Sequence, residues 1–135
     1  GNVVPPFMPD NIYSEIAAIE YAVSELGVRN IVICAHTECG AVKASYATGD
    51  NNLGYVGLDN WLGLIKDGFR ITPPTDYHEG VRINLLHQVE NLKTYPKISA
   101  MFATNQLTIH GWIYDVHSGN MLEWSDKHQD FISIV

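Results

Sequence analysis

A chain of 135 residues, 46% hydrophobic and 17% charged, is long enough and apolar enough to bury the core of one globular domain. Eight basic residues against 15 acidic ones give a formal charge of −7, and the basic ones are scattered, which excludes a surface that tracks a phosphate backbone; no nucleic-acid partner is expected. No apolar run approaches the roughly 20 residues that span a bilayer, so no membrane partner is expected either.

The chain opens on "GNVVPPF", without a methionine and in what reads as the middle of a loop, so a preceding segment is expected. In "SEIAAIEYAVSELG", Ile16, Ile19, Ala22, Val23 and Leu26 fall near a helical period, with Ser14 as N-cap, Glu15 in the first turn and Gly27 as the stop. "NIVICA" follows, a continuous apolar run rich in β-branched residues, and reads as a strand buried on both faces. "AVKASYA" and "LDNWLGLIKDGF" read as helices separated by the turn-rich "TGDNNLGYVG". The prolines of "ITPPTDYHEG" mark a loop, in which Asp76 and Glu79 read as solvated charges. "VRINLLHQVENLKTY" is a helix whose Ile83, Leu86, Val89 and Leu92 lie on one face, and Pro96 opens the short segment "KISAMFATN". "LTIHGWIYDV", the turn "HSGN" and "MLEW" form a β-hairpin. The order predicts an α/β fold: a central, mostly parallel sheet flanked by helices on both faces, with the C-terminal β-hairpin at one edge.

Chemistry is concentrated in "HTECG". His36 follows the end of the predicted parallel strand, where α/β sheets place their ligands, and Cys39 falls in the turn after it. Imidazole and thiolate both suit zinc, and a spacing of three lets one loop offer both to a tetrahedral ion. Gly40 allows a sharp turn into the next helix. An isolated His-x-x-Cys is a common accident, and two ligands do not complete a zinc site. Cys34 stands two positions before His36 but inside the most apolar segment, which favours a packed thiol. The two cysteines stand five positions apart, a poor placement for a disulfide framework and one that fits a reducing compartment. His78, His87, His110, His117 and His128 read as surface or core histidines, His110 with a structural hydrogen bond.

In its ordered set of motifs the chain resembles the β-class carbonic anhydrases, from near their middle to their end. The likeness runs through "GNVVPP", "EYAV", "ICAHTECGAVKA", "DNWL", "VRINLLHQVENLKTYP" and "LTIHGWIYDVHSGNML", with Asp126 and Phe131 beyond. The resemblance implies a single domain over residues 1–135 that lacks its N-terminal portion. It also implies reversible hydration of carbon dioxide to bicarbonate and a proton by zinc-bound hydroxide. His36 and Cys39 would be two of the family's three protein ligands to zinc, Tyr21 would line the substrate pocket, and Gly40 would offer its N–H near the zinc-bound species. A homodimer or dimer of dimers is implied, with the cleft at the subunit interface, in the cytoplasm or an organelle lumen. Two departures stand out. Ala35 replaces the family's glycine, and the family's first zinc cysteine, with the Asp and Arg of its Cys-x-Asp-x-Arg, precedes the Gly-Asn segment and is absent from this chain. Two alternatives therefore stay open: an inactive relative serving as a binding or assembly module, and an unrelated protein using Cys39 as a nucleophile at a helix N-terminus.

Overall fold

The computed structural model describes residues 2–10 and 13–134; Gly1 of the "GNVVPP" segment lies outside the described residues. The elements run α1 (Ser14–Ser24), β1 (Asn30–His36), α2 (Gly40–Thr48), α3 (Val56–Ile71), α4 (Tyr77–Lys93), α5 (Pro96–Ala103), β2 (Thr108–Tyr114), β3 (Met121–Ser125) and β4 (Asp130–Ser133). The α/β class and the C-terminal hairpin are as the sequence predicts. Gly27, at φ +66°, ends α1 as expected, whereas the N-cap is Tyr13 and Ser14 is the first helical residue. β4, a four-residue strand without a strong apolar pattern, extends the hairpin beyond what the sequence reading included.

The sheet has the order β1-β2-β3-β4. β1 and β2 are parallel, with Ile33 opposite Gly111, and the crossover between them carries α2 to α5. The remaining pairings, β2 with β3 and β3 with β4, are antiparallel, so the parallel share of the described sheet is one pairing. That single crossover puts its helices on one face. α1 joins them there, because Ile16 and Val23 pack with Ile31, Ile33 and Ile109, while Val42, Val81 and Leu85 pack with Ala35, Ile113 and Leu122. The opposite face carries no helix among the described residues, and Val32, Tyr114 and Ile132 on it are 43%, 40% and 41% exposed. The expectation of helices on both faces and of a doubly buried β1 therefore gives way to alternation along β1, exposed on one face and half-buried on the other.

On α4 the buried stripe is Val81, Asn84, Leu85, Gln88, Asn91 and Leu92, rotated from the one that spacing-three apolar residues suggested. Its three amides hold the N-terminal segment. Gln88 Oε1 accepts the Val4 N–H at 2.9 Å, Asn91 Nδ2 donates to the Val4 carbonyl at 3.0 Å, and Asn84 Nδ2 donates to the Asn2 carbonyl at 3.3 Å. The amides also bond one another, Gln88 Nε2 to Asn84 Oδ1 and Asn91 Nδ2 to Gln88 Oε1. Buried amides are stable in a core only when satisfied in this way. The ladder seats residues 2–4 beside β1.

Candidate metal centre

β1 delivers His36 at its C-terminal end, on the same strand face as Val32 and Cys34. His36 Nδ1 lies 2.8 Å from the Thr37 carbonyl. A carbonyl only accepts, so Nδ1 carries the proton and the Nε2 lone pair is left for a metal. The turn that follows is tied down at each residue. Thr37 donates its N–H to the Tyr114 carbonyl at 2.9 Å, its hydroxyl donates to Asp115 at 3.5 Å, and the same oxygen accepts the Val116 N–H at 3.1 Å. Glu38 accepts from the Tyr77 hydroxyl at 2.7 Å and pairs with Lys43, and these two partners hold its carboxyl below the usual range, Lys43 most strongly. Cys39 is the N-cap position of α2, 7% exposed, and packs against Val42, Val81, Leu85 and Ile113. Gly40 is the first residue of α2, where the backbone N–H has no intrahelical acceptor. A Cβ on Gly40 would meet nothing within 4 Å, so within this chain the glycine is not forced by crowding.

His36, Cys39 and Gly40 all line a groove of about 660 Å³. Every residue from Ile31 to His36 lines it. Successive side chains of a strand point to opposite faces, so six in a row can border one cavity only along the strand's edge. The groove therefore follows the edge of β1 that has no strand partner among the described residues. Asn2, Val3 and Val4 border it too, and Asn2 Nδ2 is buried with no acceptor in the described structure.

The donor chemistry fits two positions of a zinc site: an imidazole with its second nitrogen already committed, and a thiol three residues on. Among the described residues no group of three or more His, Cys, Asp or Glu could hold a metal. Tyr21 does not join the pair. It is 57% exposed on α1 and outside the groove, so the pocket role implied by resemblance is not met within one chain. Cys34 is exposed and lines the groove, which corrects the packed-thiol reading; Ala35 instead is the core-facing residue. His110 has the structural bonds expected of it, to Glu123 at 2.7 Å and Asn30 at 3.3 Å. Asp76 and Glu79 are not merely solvated: Asp76 accepts the Glu79 N–H at 2.8 Å, and Glu79 accepts from the N–H and hydroxyl of Thr75, forming the N-terminal cap of α4. The Glu38–Lys43–Tyr77 cluster and the amide ladder escaped the sequence reading. The second left a signal, polar residues at positions 84, 88 and 91, which repeat at helical spacing.

The family model described as carbonic anhydrase matches residues 1–121. A carbonic anhydrase of Synechococcus elongatus is 36% identical over 96% of this chain and 50% of its own length, and one of Pseudomonas aeruginosa is 32% identical over 99% and 63%. The chain thus spans about half to two thirds of the length of these relatives. Among solved structures, the β-carbonic anhydrase CcaA superposes with a TM-score of 0.82 at 29% identity, covering 97% of this chain and 62% of that one. A tetrameric β-carbonic anhydrase from Sordaria macrospora gives a TM-score of 0.67 at 31% identity, covering 87% and 62%. With the His-x-x-Cys turn placed at the end of a parallel strand and the match running through most of the chain, this protein belongs to the carbonic anhydrase family, and to its β class.

Proposed function

We propose that this chain is the body of a zinc-dependent β-carbonic anhydrase that reversibly hydrates carbon dioxide to bicarbonate and a proton, and that His36 Nε2 and Cys39 Sγ are two of its three protein ligands. The observation that carries the reading is that His36 and Cys39, three residues apart at the end of a parallel strand, both line the groove along β1. The third ligand is assigned to a strand outside these 135 residues, seated in that groove. The free edge of β1, a seven-residue strand with neither proline nor lysine, lacks the usual protection of an exposed edge and is built to be paired. The buried Nδ2 of Asn2 is a donor awaiting an acceptor on the same groove. The exposed sheet face around Val32, Tyr114 and Ile132 supports assembly with a second copy, and Tyr21 is free to serve such an interface.

Within the site the residues divide the work. His36 binds through Nε2 while the Thr37 carbonyl fixes its tautomer and ring plane. Cys39 would bind through Sγ from the N-cap position of α2. Gly40 presents a backbone N–H beside the two ligands, a donor for the oxygen of an anionic product. Ile31, Ile33, Val42 and Leu85 make the adjoining wall apolar, which favours a small apolar substrate over water. Zinc, when bound, supplies Lewis acidity that brings the pKa of water at the open position toward neutrality.

The test compares the bare chain with one extended upstream by a segment carrying Cys-x-Asp-x-Arg, by zinc analysis and stopped-flow hydration of carbon dioxide. The bare chain should hold zinc weakly and show little activity; the extended one should approach one zinc per chain and be active. An extended protein that binds zinc without hydrating carbon dioxide would instead support the inactive assembly module.

A further inference from the structure

We propose that Glu38, Lys43 and Tyr77 form a latch that fixes the turn between His36 and Cys39, so that Glu38 is a positioning residue for the metal pair; the metal part of this inference rests on the zinc reading of that pair. Two observations carry it. First, Glu38 has φ +62° and is the one residue of the turn in the left-handed region, which a long L side chain occupies at a cost and glycine occupies freely. Second, its carboxylate is held from two elements at once. Lys43, one turn into α2, pairs with it, and Tyr77, the first residue of α4, donates its hydroxyl at 2.7 Å.

The partners are themselves coupled, since the Lys43 ammonium sits 4.6 Å from the centroid of the Tyr77 ring. An isolated surface ion pair would contribute little. Here the carboxylate is shared between a cation and a hydroxyl, its side chain only 32% exposed, and it anchors the backbone unit that separates the two ligands. Ligand geometry tolerates errors of roughly 0.5 Å, so a turn two residues long between ligands has to be held from outside itself. Thr37 holds its first residue to the end of β2, and the latch holds its second to α2 and α4.

Cys39 is 7% exposed, so its alkylation requires the turn to open, and in metal-free protein with Cys34→Ser as background the iodoacetamide rate reads that opening directly. Glu38→Gln and Tyr77→Phe should each raise the rate by about tenfold, the double variant no further than the larger single one, and Lys43→Arg should restore what Lys43→Met loses. Glu38→Gly relieves the positive φ and should keep or raise the melting temperature while still raising the rate, a split that a purely stabilising residue would not give. Unchanged rates, or rises that only track global stability in urea, would overturn the latch. In the Co(II)-loaded protein extended upstream by the Cys-x-Asp-x-Arg segment, the d–d bands should shift in Glu38→Gln and Tyr77→Phe; identical bands in all three would overturn the positioning role. A parent extended upstream by the Cys-x-Asp-x-Arg segment that shows no thiolate-to-cobalt band would strike the zinc reading, and the alkylation rates would still decide the latch.

Discussion

Gln88 Oε1 accepts the Val4 backbone N–H at 2.9 Å from a side chain only 2% exposed, so a helix residue behind the sheet determines where the N-terminal segment runs. Replacing it by methionine keeps the volume but strands the Val4 N–H and the partners on Asn84 and Asn91. The expected cost is about 1–3 kcal/mol in urea unfolding, with faster proteolysis within residues 2–10. A loss below about 0.5 kcal/mol would mean that the ladder is not holding the segment.

Gly68 on α3 meets His87 on α4 so closely that a Cβ at position 68 would lie 2.8 Å from His87 Cγ. Gly68→Ala must push the helices or the ring apart and should cost about 1–3 kcal/mol. In the His87→Ala background the same substitution should cost much less, because the clash is gone; equal costs in both backgrounds, read from urea midpoints, would contradict the contact.

The same histidine sets a pH dependence. Burial lowers the His87 pKa from its ordinary 6.5, opposed by the charges of Asp67 and Glu90. Because the folded value lies below the unfolded one, the unfolded chain takes up the proton first. Stability should therefore fall as pH drops below about 6.5 and stop falling once the folded-state pKa is passed. A second loss should follow in more acidic solution, where the carboxylates of Glu38, Asp59 and Glu79, all lowered by their hydrogen bonds, protonate. Urea unfolding between pH 5 and pH 8 checks the first step, which should vanish in His87→Leu and would be misassigned if it persisted there.

Much of this fold was legible because its elements announce themselves locally. Gly27 stops α1, the β-branched run of β1 needs a sheet, and the hairpin carries its own turn. What was not legible depends on neighbours distant in sequence. The exposure of Cys34 arises because, among the described residues, β1 is an edge with one uncovered face, a property of topology that no local apolar run reveals. The true buried stripe of α4 includes Asn84, Gln88 and Asn91, which only the backbone of residues 2–4 makes acceptable in a core. At the candidate site, spacing and resemblance pointed to His36, Cys39 and Gly40, all of which line the groove along β1. The Glu38 clamp was invisible, since Tyr77 lies 39 residues away.

The central claim is that His36 and Cys39, and not His36 and Cys34, form the metal pair, and the structure makes the contest sharp because Cys34 shares the strand face of His36 and lines the same groove. Co(II) titration of the purified chain, followed by the thiolate-to-cobalt absorption band, separates them most directly. The band should survive Cys34→Ser and vanish in Cys39→Ser and in His36→Ala should weaken at least about tenfold in affinity. Survival of the band in Cys39→Ser together with its loss in Cys34→Ser would contradict the account.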